Sequence, residues 1–404
     1  MIPRLFLDAE FWKHATIPIV AAAIGWVTNW VAIQMTFRPL EFRGIRPWLG
    51  WQGIIPSKAG KMAEIFVDRT MYKLGTLREL FHHMEPERIA KHVNEMLASR
   101  LDSYTEEILF YGQHKVWRLL PNLAKEQVHA RVRQRLPAIV DSLMTEIADN
   151  IEDLIDFKHM LVTRLEGDKD LLNRLFLESG EDEFRFIVNS GWHFGFLFGV
   201  VQLVVWLVLP EWWVLPVFGI IVGYATNWLA LNVIFRPLLP TKIGPWTVQG
   251  LFLKRQHQVA ERGCALVTTE ILTLQHIVYA MLFGKRSERT REIIRRHVEP
   301  IVDEVVAGMP TAAVVLDPEA RAQIRAAVAE KAIAVSADPF DHWPFNQDRA
   351  RLIEALLLER MKQMPPAEFQ DLLRPCFQED EMKLILVGAV LGFLAGLAQL
   401  VFVF

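Results

Sequence analysis

Four stretches of about 20 residues contain no Lys, Arg, Asp or Glu, and they constrain this chain more than any other feature. They run over residues 15–37, 187–209, 212–235 and 384–404. A helix needs about 20 apolar residues to cross a hydrocarbon core of roughly 30 Å. Because 52% of the 404 residues are also hydrophobic, we predict an all-α integral membrane protein with four transmembrane helices.

The segments between these stretches differ greatly in length. Only Pro210 and Glu211 separate the second stretch from the third, which predicts a tight hairpin with no domain inside it. Residues 38–186 and 236–383 are long, charged and helically periodic, which predicts two inserted helical soluble domains on the same side of the membrane. The first 14 residues form an N-terminal segment of mixed charge.

The two halves of the sequence repeat one another at a nearly constant offset. Gly-Trp-Val-Thr-Asn-Trp-Val-Ala at 25–32 recurs as Gly-Tyr-Ala-Thr-Asn-Trp-Leu-Ala at 223–230. Phe-Arg-Pro-Leu follows at 37–40 and again at 235–238. Such self-similarity predicts a tandem two-fold duplication, in which each copy contributes two membrane crossings and one soluble domain.

Positive charge is distributed unequally around the spans. Lys and Arg follow the first and third spans, whereas the hairpin and the C-terminal end of the fourth span carry none. Since cytoplasmic flanks carry the excess of Lys and Arg, we expect both soluble domains to be cytoplasmic.

The string Gly-x-x-Thr-Asn-Trp-x-Ala-x-x-x-x-Phe-Arg-Pro, followed by Gly-Ile-Ile-Pro-Ser-Lys at 53–58, resembles the DUF445 family of bacterial membrane proteins. This family is also named UPF0754 and includes YheB-like and YjiN-like members. The closing Leu-Arg-Pro-Cys-Phe-Gln-Glu-Asp-Glu at 373–381 is similar to the family's C-terminal pattern. The resemblance implies a multi-pass protein of the bacterial inner membrane with helical domains, and it carries no established biochemical activity.

Several polar residues lie inside the apolar stretches, and they are the first candidate site. They are Asn29, Asn227, Thr28, Thr226, Gln202 and Gln399. One interpretation is that they hydrogen-bond between packed helices, with the first and third spans meeting through the asparagines and threonines. The other is that Asn29 and Asn227 line a polar path for a substrate, because polar groups at membrane depth often mark such routes.

Charged residues at the ends of the spans form the second candidate site. They are Arg38 and Arg236 at the exits, and the triplets Glu181, Asp182, Glu183 and Glu379, Asp380, Glu381 at the returns. A network between each arginine and a triplet would be strengthened near lipid. Alternatively, the arginines bind lipid phosphates and the carboxylates are solvated.

Apolar residues recur every three to four positions in both soluble segments, which predicts long amphipathic helices. The series are Val128, Val132, Leu136, Val140, Leu143, Ile147, Ile151, Leu154 and Ile353, Leu357, Met361, Met364. These faces form either ordinary helix packing or a groove for hydrophobic molecules or partner helices.

Signals for catalysis or nucleic-acid binding are weak. The formal net charge is −3, which gives no basis for a nucleic-acid partner. The histidines lack metal-ligand spacing, and neither a phosphate-binding loop nor a nucleophile elbow occurs. We therefore expect a non-enzymatic protein without a metal or cofactor. Its expected partners are membrane lipids, with self-association into a homo-oligomer left open.

Two functions fit these observations. The first is a module that organises the membrane surface or binds lipid-like molecules. The second is a small transporter or channel with a polar path near Asn29 and Asn227.

Overall fold

The computed structural model describes residues 9–45, 49–119, 121–308, 317–378 and 381–402. It divides into two compact units. The span unit comprises the described parts of Met1–Lys73, Val162–Leu266 and Leu358–Phe404. The cavity unit comprises the described parts of Leu74–Leu161 and Val267–Leu357. Each long segment between spans thus contributes to both units, and the division into one soluble domain per segment stays a prediction.

The elements up to the hairpin are as follows. The helices are α1 (Ala9–Phe37), α2 (Ile54–Ser57), α3 (Ala59–Phe66), α4 (Tyr72–Leu74), α5 (Leu77–His83), α6 (Pro86–Ala98), α7 (Leu101–Leu119), α8 (Asn122–Leu154), α9 (Phe157–Gly167), α10 (Lys169–Ser179) and α11 (Glu181–Val208). The strands are β1 (Arg43–Ile45) and β2 (Leu49–Trp51), and a π-helical turn occupies Val67–Met71.

The elements after the hairpin follow a similar order. The helices are α12 (Val214–Phe235), α13 (Leu251–Lys254), α14 (Gln256–Leu266), α15 (Leu274–Phe283), α16 (Ser287–Val298), α17 (Pro300–Ala307), α18 (Pro318–Val335), α19 (Trp343–Gln363), α20 (Pro366–Gln378) and α21 (Glu381–Phe402). The strands are β3 (Thr241–Ile243) and β4 (Trp246–Val248), with a π-helical turn at Val267–Ile271 and a 3₁₀ turn at Asp338–Asp341. Each strand pair is a separate antiparallel hairpin.

Within the described residues, four helices are long and apolar enough to cross a membrane, and we call α1, α11, α12 and α21 spans 1 to 4. Three of them begin earlier than the predicted crossings, at Ala9, Glu181 and Glu381. Acidic residues in the first turn favour a helix start because they face the positive end of the helix dipole. The helices therefore extend beyond the uncharged stretches.

Span 1 packs along span 2, and span 3 packs along span 4, with further contacts between spans 2 and 3 and from span 1 to spans 3 and 4. Ile17, Trp206, Val214 and Leu215 form a buried cluster among them. The opposite faces expose large apolar side chains, including Leu197, Val204, Val390 and Leu394. A soluble protein would bury such faces, so they are suited to contact with lipid.

Helix α15 passes the same test of length and apolarity when it is taken together with the bent segment Gln256–Ile271 before it. Four of its apolar side chains, however, face the interior of the cavity unit: Leu274, Val278, Met281 and Leu282. Burial inside protein accounts for their apolar character, which is common for helices in a core.

Some helices of the cavity unit begin at side-chain caps typical of soluble helices. Thr76 accepts a hydrogen bond from the backbone nitrogen of Glu79 at the start of α5. Thr273 accepts one from His276 at the start of α15. The long helix α8 runs without a break through Pro137, and it confirms the amphipathic helix predicted from the spacing of its apolar residues.

Candidate ligand cavity and polar contacts of the spans

The cavity unit contains a partly open cavity of about 520 Å³. This volume lies within the range of roughly 300–1,000 Å³ that is usual for small-molecule sites. Its walls come from α5 to α8, α15 to α18 and the 3₁₀ turn. Both long segments of the chain are therefore needed to close it.

The amphipathic face predicted for α8 forms one wall of this cavity. The lining residues that it contributes are Val128, Val132, Leu136, Ile139, Val140, Leu143, Met144 and Ile147. The next two residues of the predicted series, Ile151 and Leu154, are buried but lie outside the lining. The second series behaves differently, since Ile353, Leu357 and Met361 of α19 are buried without lining the cavity. Met364 lies just beyond the end of α19.

Five described lining residues carry a hydroxyl or an ammonium group, and four of these have partners within the protein. Thr105 donates to the carbonyl oxygen of Leu101 at 2.7 Å, and Ser336 donates to that of Ala332 at 2.6 Å.

The other two partnered groups belong to Lys331 and Tyr104. Lys331 Nζ lies 2.6 Å from Glu107 Oε2 and over the Tyr104 ring. The Tyr104 hydroxyl donates to Asp338 at 3.4 Å. The ammonium charge of Lys331 is thus offset by a carboxylate at the cavity wall.

Thr290 is the fifth polar residue, and it differs from the other four. Its side chain is 1% exposed, and its Oγ1 has no hydrogen-bond partner among the described residues. A buried hydroxyl without a partner is unusual in a folded protein and is destabilising. Sequence reasoning missed Thr290, because a threonine in the first turns of an ordinary helix carries no distinguishing signal.

The asparagines of the spans are buried and join neighbouring helices. Asn29 Nδ2 donates to the carbonyl oxygen of Ile187 at 2.6 Å, which links span 1 to span 2. Asn227 Nδ2 donates to that of Leu384 at 2.8 Å, which links span 3 to span 4. From the sequence, these contacts were expected between spans 1 and 3. The pairing is different because the helices that pack most closely along each asparagine are spans 2 and 4.

The neighbouring threonines were expected to bond between helices, and this expectation was wrong. Thr28 donates to the carbonyl oxygen of Gly25, and Thr226 donates to that of Val222. Both bonds lie within the residue's own helix, where a threonine hydroxyl reaches the carbonyl three or four residues earlier.

Glycines about one helical turn before the two asparagines bring the paired spans into backbone contact. A Cβ atom on Gly25 would lie 2.2 Å from the carbonyl oxygen of Gly191. One on Gly223 would lie 2.1 Å from that of Gly388. Close approach of this kind is the usual role of small residues in membrane helices. It leaves no space between the backbones at these two points.

The two glutamines of the spans are also buried. Gln202 is 3% exposed and Gln399 is 4% exposed. The Nε2 atom of Gln399 has no hydrogen-bond partner among the described residues. The side-chain oxygens of the two span asparagines, Asn29 Oδ1 and Asn227 Oδ1, likewise have no hydrogen-bond partner among the described residues.

The first acidic triplet pairs with arginines that the sequence analysis did not single out. Arg262 Nη1 lies 3.2 Å from Glu181 Oε2, and Arg255 Nη1 lies 3.0 Å from Asp182 Oδ2. Glu183 is buried, with its Oε1 4.0 Å from the same Arg255 nitrogen. The network therefore joins the start of span 2 to α14 and the residue before it.

The predicted partners Arg38 and Arg236 are both exposed. Within the part of the chain that the structure describes, neither of them forms an ion pair with a triplet. Each arginine directly follows the last residue of its span and directly precedes a proline. In the second triplet, Glu379 and Asp380 lie outside the described residues, and Glu381 begins α21.

Arg349 is a further buried charged residue that the sequence analysis missed. Its side chain is 2% exposed, and its Nη1 and Nη2 atoms lie 2.5 Å from Glu85 Oε2 and Asp348 Oδ2. Hydrogen bonds from Arg349 hold the pKa values of both carboxyls below their usual range. No group of three His, Cys, Asp or Glu side chains in the described ranges is arranged to hold a metal ion.

These features define a multi-span helical membrane protein with an apolar cavity in its cavity unit. No protein-family model and no solved structure matches the chain. A stretch of 96 residues is 34% identical to a UPF0754 membrane protein of Cyanothece sp. (strain PCC 7425 / ATCC 29141), covering 22% of this chain and 23% of that relative. A stretch of 74 residues is 39% identical to a UPF0754 membrane protein of Shouchella clausii (strain KSM-K16), covering 18% of each.

The chain thus matches about a fifth of the length of these two relatives. The two matches support the assignment of this chain to the UPF0754 family of membrane proteins, which the Thr-Asn-Trp and Phe-Arg-Pro strings had indicated.

Proposed function

We propose that this membrane protein binds a lipid-like molecule in the cavity of its cavity unit and performs no catalytic step on it. The observation that carries the proposal is the apolar cavity of about 520 Å³. Natural cores are packed to crystal-like density, with few voids larger than a water molecule. A cavity of this size in a helical core is therefore best accounted for by a bound molecule.

The volume favours one hydrocarbon chain as the occupant. A methylene group takes up about as much space as a water molecule, whose share of liquid volume is roughly 30 Å³, so the cavity has room for roughly 17 such groups. A diacyl lipid has about twice that number of chain carbons, so a single chain matches this volume better.

Chain connectivity also supports a role at the membrane. Each segment that contributes to the cavity unit is joined at both ends to a span. A lipid-like molecule held there would come from, or return to, the bilayer in which the spans lie. This fits the expectation that membrane lipids are partners of the chain.

A photoreactive hydrocarbon tests the proposal in the full-length protein. The probe is a hexadecane analogue with a diazirine in mid-chain, and the protein is in lipid nanodiscs, because most detergents are themselves single-chain amphiphiles. We expect cross-links on α8 and α15 to α18. The substitution Leu143→Trp narrows the cavity and should weaken them, whereas Leu123→Trp, at a residue 68% exposed on the same helix, should not.

Thermal unfolding and circular dichroism check that both variants fold. Cross-links confined to the spans in the wild-type protein would contradict the proposal, as would equal labelling of the cavity helices in Leu143→Trp and Leu123→Trp.

The alternative of a polar path near Asn29 and Asn227 has less support. Each amide nitrogen donates to a backbone carbonyl of the neighbouring span, and glycine contacts close the space beside them. These features favour a role in holding the spans together.

We further infer that the two halves arose by duplication and share one orientation, with the helical segments in the cytoplasm. Support comes from equivalent contacts at equivalent places. Asn29 and Asn227 both bond to the returning span of their own half. Asn173 donates to the carbonyl oxygen of Phe37 at 2.6 Å, and Gln370 is placed to donate to that of Phe235.

Arg38 and Arg236 are proposed to bind lipid phosphates at the cytoplasmic surface. They follow the last residues of spans 1 and 3, and they are exposed. Arginine is well suited to this role, because its planar group donates two parallel hydrogen bonds to a phosphate.

A further inference from the structure

We propose that the hairpin β1–β2 lies on the membrane surface, where the face that carries Arg43, Ile45 and Trp51 contacts the head groups of anionic phospholipids. The hairpin belongs to the span unit, so this interaction is independent of any molecule in the cavity.

The base of the hairpin is attached to the end of span 1. The backbone nitrogen of Gly53 donates to the carbonyl oxygen of Pro39 at 2.9 Å, and Gln52 Nε2 donates to that of Leu40 at 2.7 Å. A Cβ atom on Gly53 would lie 2.7 Å from the carbonyl carbon of Phe37, which is the last residue of the span. Both ends of the hairpin are therefore held where span 1 leaves the hydrocarbon core, at the level of the head groups.

The two faces of the hairpin differ. Arg43 is directly opposite Trp51 in the ladder, and Ile45 lies two residues further along β1. Because side chains of a strand alternate between its two faces, these three residues share one face. The other face carries Gly50, where a Cβ atom would meet the ring of Phe42. The Phe42 ring therefore covers the second face and leaves the first one open.

The open face is suited to a membrane surface. Arg43 is exposed, Ile45 is 74% exposed, and Trp51 is 36% exposed. A two-stranded hairpin is at best marginally stable in water, so it needs a surface to pack against. Tryptophan is enriched at the head-group level of membranes, and arginine is attracted to anionic lipids. A bilayer that contains anionic phospholipid would cover the apolar groups and pair with the cation.

The second hairpin, β3–β4, repeats this arrangement beside span 3. The backbone nitrogen of Gly250 donates to the carbonyl oxygen of Pro237 at 2.9 Å, which closes the base of the hairpin in the same way. Leu239 is 66% exposed, and Lys242 of β3 is exposed. An exposed cation and an exposed apolar residue thus occur at the same place in both halves, which favours one common contact surface.

Lipid quenching of a fluorophore on the hairpin tests this inference in the full-length protein. Cys264 and Cys376 are replaced by alanine, and Ile45→Cys carries an environment-sensitive dye in nanodiscs that contain anionic phospholipid. We expect blue-shifted emission and strong quenching by lipid with a spin label on its head group. The control is Leu123→Cys, at an exposed apolar residue of the cavity unit, where the emission should be unshifted and the quenching weak.

A second pair of variants tests the role of charge. In the Ile45→Cys protein, Arg43→Gln should lower the equilibrium constant for lipid contact about fivefold in anionic nanodiscs, the change expected for one cation at an anionic surface. It should have little effect in nanodiscs of zwitterionic lipid. The matched control is Arg78→Gln, at an exposed arginine of the cavity unit, and it should change neither.

Hydrogen exchange provides a measurement without dye or cysteine substitution. Backbone amides of β1 and β2 should exchange more slowly in anionic than in zwitterionic nanodiscs, and equal rates would contradict lipid contact. Circular dichroism and thermal unfolding check that the labelled variants fold.

Emission and quenching at Ile45→Cys equal to those at Leu123→Cys would overturn the inference. A blue shift without lipid quenching would also overturn it, because the face would then be covered by protein, such as a second copy of the chain. Equal quenching in Arg43→Gln and Arg78→Gln would overturn the preference for anionic lipid. All three results leave the proposed function of the cavity unaffected.

Discussion

Arg349 Nη1 lies 2.5 Å from Glu85 Oε2 within the cavity unit. The same guanidinium donates to the carbonyl oxygen of Met84 at 3.2 Å and to Asp348 at 2.5 Å. Glu85 immediately precedes α6, and Arg349 belongs to α19. The contact therefore joins the two segments of the chain that together line the cavity.

The Arg349 cluster predicts a pH dependence of stability. Arg349 lowers the pKa of Glu85 from its usual value of 4.5 and that of Asp348 from 3.8. A carboxyl whose folded pKa is lowered contributes its full stabilisation above the usual value and loses it as the pH falls through the lowered one. We expect the difference in Tm between wild type and Arg349→Met to be constant at neutral pH and to shrink as the pH falls below 4.5.

The control for this prediction is Arg78→Met, since Arg78 is an exposed arginine of the same unit. Its Tm should follow that of wild type at every pH. A difference between wild type and Arg349→Met that stays the same down to pH 3 would show that the two carboxyls do not depend on Arg349.

Backbone contact between spans 1 and 2 predicts strong sensitivity at Gly25. In Gly25→Ala the new Cβ meets the backbone of Gly191, and a backbone cannot move aside without separating the helices. We expect a loss of about 1–3 kcal/mol in the free energy of unfolding, which is typical of overpacking. Gly167→Ala is the control, because a Cβ at this helical glycine meets nothing within 4 Å. Equal stability of the two variants in nanodiscs would refute close packing of spans 1 and 2 at this point.

The charge network predicts which arginine is coupled to the first triplet. A double-mutant cycle of Arg262→Ala and Glu181→Ala should give a coupling energy of up to about 1 kcal/mol, since both groups are roughly half exposed. The cycle of Arg38→Ala and Glu181→Ala should be additive. Both cycles are measured by chemical unfolding. Coupling of Glu181 to Arg38 and not to Arg262 would contradict the pairing in the structure and support the pairing suggested by the sequence.

The positive charges after spans 1 and 3 predict the topology. Alkaline phosphatase fused after Phe404 should be active, because the end of span 4 lies outside the cytoplasm in the proposed orientation. Fusion at Asp141, in α8, should be inactive, and a fluorescent protein there should be bright. The reverse pattern would place the helical segments outside the cytoplasm.

The four spans could be predicted from sequence because membrane crossing depends on the length and composition of one continuous stretch. The apolar face of α8 was predictable for a similar reason, since helical spacing is local. Helical spacing gives the direction of such a face but not what lies opposite it. The cavity depends on α15 to α18, which are distant in sequence, and its presence could only be read from the structure.

Contacts between distant polar residues were the least predictable. Arg38 and Arg236 directly follow spans 1 and 3, yet the first triplet pairs with Arg255 and Arg262. Arg349 looks like any charged residue of an amphipathic helix until its burial is known. The hydroxyl of Thr290 is distinguished only by the absence of a partner among the described residues, which is a property of packing.

The measurement that tests the account most directly is the lipid content of the protein extracted without detergent. Wild-type protein and the Leu143→Trp and Leu123→Trp variants are released from membranes in polymer-bounded discs and freed from bulk lipid by exchange into nanodiscs of one synthetic phospholipid. The remaining native lipids are quantified by mass spectrometry. We predict about one single-chain lipid per protein in wild type and Leu123→Trp, and less of it in Leu143→Trp. Retention of no native lipid by wild type, or equal retention by folded Leu143→Trp, would contradict the account.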